Sequence, residues 1–214
     1  LSRSAKQRIA SAQNFNPDPP FMTFRFRAPA LALAALIGLG ACQPAIPAPE
    51  LAARWDHRPE AADWNAAMVS ALARDGAALI TAIPADADTF CPGYANASPE
   101  GRKAFWVMFF SGLARYESGW RPEAAGAGGR YRGLLQISPA TARFHGCDLS
   151  HPSGLYDGAS NLACAVRIAN AAVRRDGVIA TGRGGVAADW PPLRDAGRRA
   201  EIAGHTRALP QCRA

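Results

Sequence analysis

The sequence predicts a mainly α-helical fold, on three observations. Apolar residues recur at helical spacing through most of the C-terminal two thirds, two Ser-Pro pairs stand where helices would begin, and no clear run of alternating apolar and polar residues marks a series of strands. In chain order, residues 62–82 place Trp64, Met68, Leu72, Leu79 and Ile80 on a helical stripe, with Gly76 as a break and Pro84 beyond the end. Ser98-Pro99 opens the next helix, because serine caps and proline fits the first helical position. It runs to about Glu117, carries Phe105, Trp106, Phe109, Phe110, Leu113 and Tyr116, and stops at Gly119 and Pro122. A Gly-rich loop over 126–133 follows, and then Ser138-Pro139 starts a short helix towards Phe144. A further helix spans 160–175 through Leu162, Val166, Ile168 and Ala169. TGRGG (181–185) reads as a flexible turn, and a last helix covers 195–207.

Composition bounds the function. Apolar residues make up 49% of the 214 and charged ones 19%, which supports a packed core and excludes a disordered chain. Of the 24 basic residues five precede Cys42, as does one of the 17 acidic ones; the remainder, 19 against 16, is about +3. A charge-driven nucleic-acid protein is therefore not expected, whereas a mild positive balance suits a polyanionic envelope polymer.

Residues 28–41 (APALALAALIGLGA) form an apolar run shorter than the roughly 20 residues of a membrane span. Arg25 and Arg27 precede it and small residues close it, the layout of a secretory signal over 22–41 headed by Met22. The polar residues 1–21 read as an untranslated or disordered upstream segment. The signal ends Leu39-Gly40-Ala41-Cys42, which resembles the lipobox of bacterial lipoproteins and implies cleavage before Cys42 and lipid attachment to it. Gln43 next to it implies outer-membrane delivery, hence a periplasmic protein held to the membrane by its lipid. The Pro/Ala stretch after Cys42 reads as a spacer, giving a linker over 42–61 and a folded domain over 62–214.

With Cys42 assigned to lipid, Cys91, Cys147, Cys164 and Cys212 remain, an even number in an exported chain. Three pairings are open. The favoured one joins Cys147 to Cys164 in a short loop, worth about 3 kcal/mol through the unfolded state, and Cys91 to Cys212. The alternative, a zinc site, lacks any C-x-x-C spacing.

The residue with chemistry is Glu117. It lies four, seven and eleven positions after Leu113, Phe110 and Trp106, so it continues the apolar stripe. Burial raises a carboxyl pKa, and the negative end of the helix dipole acts in the same direction. A carboxylic acid kept protonated near neutrality is what a general acid for glycoside cleavage must be.

The neighbouring sequence, Glu117-Ser118-Gly119-Trp120-Arg121-Pro122-Glu123-Ala124 and then Gly133-Leu134-Leu135-Gln136-Ile137-Ser138-Pro139-Ala140-Thr141-Ala142, resembles the soluble lytic transglycosylase domain of glycoside hydrolase family 23. The resemblance is close over about 35 residues and implies a lysozyme-like fold. It also implies a peptidoglycan substrate cleaved between N-acetylmuramic acid and N-acetylglucosamine with 1,6-anhydro ends, and no metal or other cofactor. Glu117 is then the acid and base, Ser118 hydrogen-bonds near it, Leu135 lines the sugar groove and Gln136 contacts the sugar. The chain departs from the family in two places. Tyr131-Arg132 stand where it has Gly-Ala, and its later A-Y-N-x-G is replaced by Ala188-Asp189-Trp190-Pro191, where Trp190 is either a substitute groove wall or packing. Two alternatives stay open on this fold: a lysozyme-type hydrolase, as in the goose-type lysozymes, and a peptidoglycan-binding module without turnover.

Other chemistries find no support. The glycines of 126–129 have no strand before them and no Lys-Ser/Thr after, so they do not cradle phosphate. His145 and His151 lack metal-ligand spacing, Ser118 has no adjacent His or Asp, and Arg130, Arg132 and Arg143 are expected to be solvated or to meet peptide-stem carboxylates.

Overall fold

The computed structural model describes residues 51–213, so the expectations for 1–21, the signal 22–41 and the Cys42 anchor fall outside the described residues. Among the described residues the architecture is mainly helical: α1 (Ala61–Asp75), α2 (Ala77–Thr81), α3 (Ala87–Phe90), α4 (Pro99–Ser118), α5 (Pro139–Phe144), α6 (Gly158–Asp176) and α7 (Ala196–Arg207). Single 3-10 turns join several of them, and one two-stranded antiparallel hairpin, β1 (Ala125–Gly126) with β2 (Tyr131–Arg132), stands after α4. The break expected at Gly76 separates α1 from α2, and the end of every longer helix lies within two residues of its expected place.

The Ser-Pro starts work as their chemistry requires. The Ser98 hydroxyl accepts from the Gly101 amide and that of Ser138 from the Thr141 amide, with proline at the first position of each helix. Asp157 and Asp195 do the same for α6 and α7, accepting from Ser160 and Arg198.

α4 is the centre of the domain. Phe105, Trp106, Phe109, Phe110 and Leu113 are fully buried, and so are Val107, Ser111, Gly112 and Ala114, so most of its circumference is covered. It packs against α1, α2 and α7, while α6 covers α1 and α2. A helix buried almost all round needs the exceptional apolar density that α4 has.

Two expectations are corrected here. The packed domain begins before residue 62: Ala53 and Trp55 are in the core, Trp55 meets Trp64 edge-on at 5.6 Å, and its indole donates to Asn65 at 2.8 Å. An apolar surface the size of a tryptophan finds α1 within reach, so the proline-rich linker ends earlier than its composition indicated. The turn over 181–185 is pinned. Asp86 accepts from the Ile179 and Ala180 amides and the Thr181 hydroxyl, and Asp176 accepts from the Gly185 amide.

Both disulfides pair as favoured, Cys147 with Cys164 and Cys91 with Cys212. The second ties the C-terminal turn to the end of α3, where the Thr206 hydroxyl also donates to the Phe90 carbonyl at 2.6 Å.

Candidate active site

Glu117 stands in the last turn of α4. Gly119 ends the helix in the left-handed conformation (φ 61°), which glycine adopts without strain, and its amide closes on Arg115 at 3.1 Å. Trp120, also left-handed at φ 60°, returns over the helix and donates its indole N–H to the Ser111 carbonyl at 2.7 Å. His57 packs edge-on against it at 4.8 Å. The chain therefore turns sharply just after the glutamate, and the glutamate stays on the helix side of the turn.

The Glu117 side chain is largely buried, and its Oε1 has no hydrogen-bond partner among the described residues. Burial raises its carboxyl to about 7, opposed only by the positive charge of Arg198 on α7. The carboxyl is thus near half-protonated at neutral pH, ready to give a proton and to take one back.

After the turn at Gly119 and Trp120 the chain enters the hairpin and the loop that follows it. Arg132 and Ile137 exchange backbone hydrogen bonds at 3.1 and 3.0 Å, closing Gly133-Leu134-Leu135-Gln136 into a tight loop. Gly133 has φ 79°, and a Cβ there would lie 2.1 Å from the Leu155 carbonyl oxygen and 2.3 Å from the Asn161 amide nitrogen, so only glycine fits. Leu134 and Leu135 are fully buried. Asn161, in the first turn of α6 and itself fully buried, holds the loop from below. Its carbonyl accepts from the Leu135 amide at 2.9 Å, and its NH2 donates to the Arg132 and Leu155 carbonyls, each at 2.9 Å.

The structure redistributes the roles expected from sequence. Glu117 lies at the end of the central helix, where its spacing placed it. Ser118 does not serve the carboxylate: its hydroxyl donates to the Ala114 carbonyl (3.3 Å) and accepts from the Arg121 amide (3.2 Å), so it finishes the helix end. Leu135 does not line an open groove, because the turn drives its side chain into the core. Trp190 is packing and not a sugar platform. It is only 3% exposed, meets Phe110 edge-on at 6.0 Å and donates its indole N–H to the Leu135 carbonyl at 2.9 Å. Gln136 is half-buried, and its NH2 donates to the carbonyls of Ala124 (3.1 Å) and Gly133 (2.9 Å), so the amide expected to meet sugar holds the loop. Its backbone is left-handed at φ 47°.

Two groups received no role from the sequence, although Asn161-Leu162 at the start of α6 agrees with the transglycosylase resemblance. Asn161 occupies an apolar stripe of α6 with Cys164, Ala165 and Ile168, the same signal that marks Glu117. The second is a charged cluster behind the glutamate. Arg115 and the Tyr116 hydroxyl both donate to Glu201 on α7, and His205 approaches it at 3.7 Å. No spacing in the sequence links residues so far apart. Among the described residues, no three His, Cys, Asp or Glu side chains converge as a metal-ligand set, and no helix is long and apolar enough to cross a membrane.

No family model matches the chain, and no curated protein matches it. Solved structures do. The wild-type form 2 of Bd0314 DslA, from Bdellovibrio, is 30% identical with a TM-score of 0.68, over 76% of this chain and 98% of that one. Two glutamate-to-glutamine mutants of DslA match at 31% and 32% identity, with TM-scores of 0.68 and 0.67, over 96% and 97% of their own length and 74% and 75% of this chain. The helical order, the small hairpin after the central helix and this likeness make the fold lysozyme-like. With nearly the whole DslA chain matched at this identity, the protein belongs to the DslA family of lysozyme-like proteins.

Proposed function

We propose that the protein is an exported lytic transglycosylase acting on peptidoglycan glycan strands, with Glu117 as acid and then base. The observation that carries the reading is a single buried carboxyl, raised to about 7, with an oxygen left unpaired at the end of the central helix. The glutamate-to-glutamine mutants among the DslA structures agree with glutamate-centred chemistry in the family. Protonated Glu117 gives its proton to the glycosidic oxygen as the C1–O bond breaks. The substrate's own acetamido group carries the positive charge at C1, so one protein carboxylate suffices. Ionised Glu117 then takes the proton of the C6 hydroxyl while that oxygen bonds to C1, closing the 1,6-anhydro ring and restoring the acid. No cofactor is required by this sequence of steps.

The test is a digest of purified peptidoglycan read by mass spectrometry. Anhydro ends, one water lighter than reducing ends, are the expected product, and Glu117→Gln should abolish them. Reducing ends would assign a lysozyme-type hydrolase, a reading favoured by the burial of Trp190 where the transglycosylase motif places sugar contacts. Binding without cleavage would assign a wall-binding module.

The lipoprotein anchor belongs to the same proposal. Leu39-Gly40-Ala41-Cys42 after an apolar signal supports a periplasmic enzyme attached to the outer membrane through Cys42. Cys42→Ser should move the protein from the membrane to the soluble fraction; retention there, with no fatty-acid uptake by wild type, would refute the anchor.

A further inference from the structure

We propose that the cleft between the start of α4 and the C-terminal turn takes one acyl chain of a membrane phospholipid, with its anionic headgroup at Lys103 and Arg213. The cleft goes beyond the proposed reaction, and it rests on the proposed anchor only for being brought to a membrane.

The cleft has an apolar half and a polar half. The apolar half is a groove of about 540 Å³ lined by Leu51, Val69 of α1, Ala104 of α4, Leu209 and Pro210. The polar half, about 440 Å³, is lined by Asn96 and Arg213, and the two halves share Ser98, Pro210 and Gln211. A cavity of this size, apolar along most of its length and polar at one end, suits an amphiphile with a single chain in the groove. The walls are fixed. The Cys91–Cys212 disulfide holds the C-terminal turn, the Gly93 amide donates to the Cys212 carbonyl at 3.1 Å, and the Gln211 side chain donates to the Gly101 carbonyl at 3.2 Å. The groove therefore keeps its apolar lining open where closing over it would be favourable, which marks it as a surface for a partner.

Two observations name the partner as membrane lipid. The first is charge. Lys103 and Glu100 also line the groove, 3.6 Å apart, too far for a hydrogen bond, and Glu100 is 72% exposed, so the ammonium is available to a phosphate while its stem lies against the apolar wall. Arg213 is the one charged residue lining the polar half among the described residues, and its guanidinium makes a single bond of 3.3 Å to the Ala208 carbonyl. Arg102 nearby is spent on the carbonyls of Tyr94, Ile80 and Ala95. The second is position. Leu51, itself in the groove, lies nine residues after Cys42, a chain length of about 30 Å at most, so a lipid on Cys42 keeps the groove within reach of a bilayer. One acyl chain alone binds a membrane marginally and a second contact makes the attachment stable, which the groove and its two cations would supply. Glu117 stands at the other end of α4, roughly 20 Å along the helix from Ala104, and so stays clear of a lipid seated here.

The experiment uses the full chain as Cys42→Ser, which carries no lipid of its own, so it stands or falls apart from the anchor. The protein should sediment with vesicles of phosphatidylethanolamine and phosphatidylglycerol, and bind vesicles of phosphatidylcholine at least about tenfold more weakly. Lys103→Gln and Arg213→Gln should each weaken binding to the anionic vesicles about fivefold, and Lys103→Arg should keep it. Val69→Asp puts a charge in the groove and should cost at least about tenfold; Ala104→Glu is the second variant if the first fails to fold by circular dichroism. Monomeric lysophosphatidylglycerol should bind wild-type groove one to one, with amide NMR shifts at Val69, Ala104 and Gln211. Absence of vesicle binding overturns the proposal, as do lipid-induced shifts confined to another face, or binding unchanged in a folded Val69→Asp or Ala104→Glu protein. A dimer that Val69→Asp dissociates, without lipid binding, would assign the groove to a second copy. A lowered melting temperature in that variant, with neither dimer nor lipid binding, would assign it to the chain upstream of Leu51. Both overturn the proposal. Cleavage of peptidoglycan without vesicles should be the same in all these variants, so failure of the proposed function and failure of the lipid cleft are read separately.

Discussion

Asn161 and Glu117 each stand where an apolar residue would continue a helix stripe, one at the start of α6 and the other at the end of α4. Asn161 is fully buried, and its amide makes three hydrogen bonds of 2.9 Å to the loop above it and to Leu155. Glu117 is less completely buried, yet it keeps an oxygen out of solvent without a partner and a carboxyl raised to about 7. A buried polar group that is satisfied fixes geometry; one left unsatisfied has its proton affinity shifted and is available for chemistry. Asn161 holds the 133–136 turn, whose Leu135 carbonyl is tied through Trp190 to Phe110 on the helix that Glu117 ends.

The largest expected effect comes from breaking the reactive side of this pair. Glu117→Gln should lower peptidoglycan cleavage by about 10²–10⁴-fold, the range of a positioned acid or base. The fold should persist, because a neutral amide is cheaper to bury than a carboxylate. Retained activity in the folded variant would place the chemistry elsewhere.

On the structural side the signs reverse. Asn161→Ala strands the Leu135 amide and two carbonyls, so stability should fall by about 3 kcal/mol, read by denaturant unfolding. Activity per folded molecule should fall less than in Glu117→Gln. A loss below about 1 kcal/mol would mean that water replaces the amide and that Asn161 is not the hub.

Stability against pH sharpens the contrast further. Because burial raises Glu117 in the folded state, its protonated form favours folding; that contribution is complete below about 4.5 and is lost as pH rises to about 7. After allowance for partial solvent access, the loss should be about 2 kcal/mol. It should be absent in Glu117→Gln, which would then be the more stable protein at pH 8, whereas Asn161→Ala should keep the wild-type slope. Parallel unfolding curves for wild type and Glu117→Gln from pH 4 to 8 would refute the raised carboxyl.

The smallest effect concerns Gln136. Gln136→Ala removes two loop hydrogen bonds and should cost about 1 kcal/mol with a modest fall in turnover. Gln136→Gly loses the same bonds but relaxes a left-handed backbone at φ 47°, so it should melt above the alanine variant. The reverse order would show that the turn is not strained.

How much of this was legible in the sequence differs from residue to residue. Ser98-Pro99 and Ser138-Pro139 announce their helices because capping is local: hydroxyl, amide and proline ring lie within three residues of one another. Glu117 was legible for a similar reason, since helical spacing alone puts it in line with Trp106, Phe110 and Leu113. The favoured disulfides were legible through an even cysteine count and the short 147–164 loop. Leu135 and Gln136 were assigned to the sugar and Ser118 to the neighbourhood of Glu117 by motif, Trp190 was left open between groove wall and packing, and a motif carries no direction for its side chains. The turn closed by Arg132 and Ile137 sends Leu135 inward and occupies the Gln136 amide, and the space above Phe110 takes Trp190.

Sequence by itself thus determined the helices, their ends, the acid on the central helix and the cysteine economy, all properties of neighbours along the chain. Tertiary structure alone decided that Trp55 joins the core ahead of the expected domain start, that Asn161 holds the loop from α6, and that Arg198 of α7 reaches the end of α4. The physical reason is separation. Burial and charge act through space: packing around the end of α4 raises Glu117, and the one charge that opposes the rise, Arg198, lies on a helix some 80 residues further along the chain.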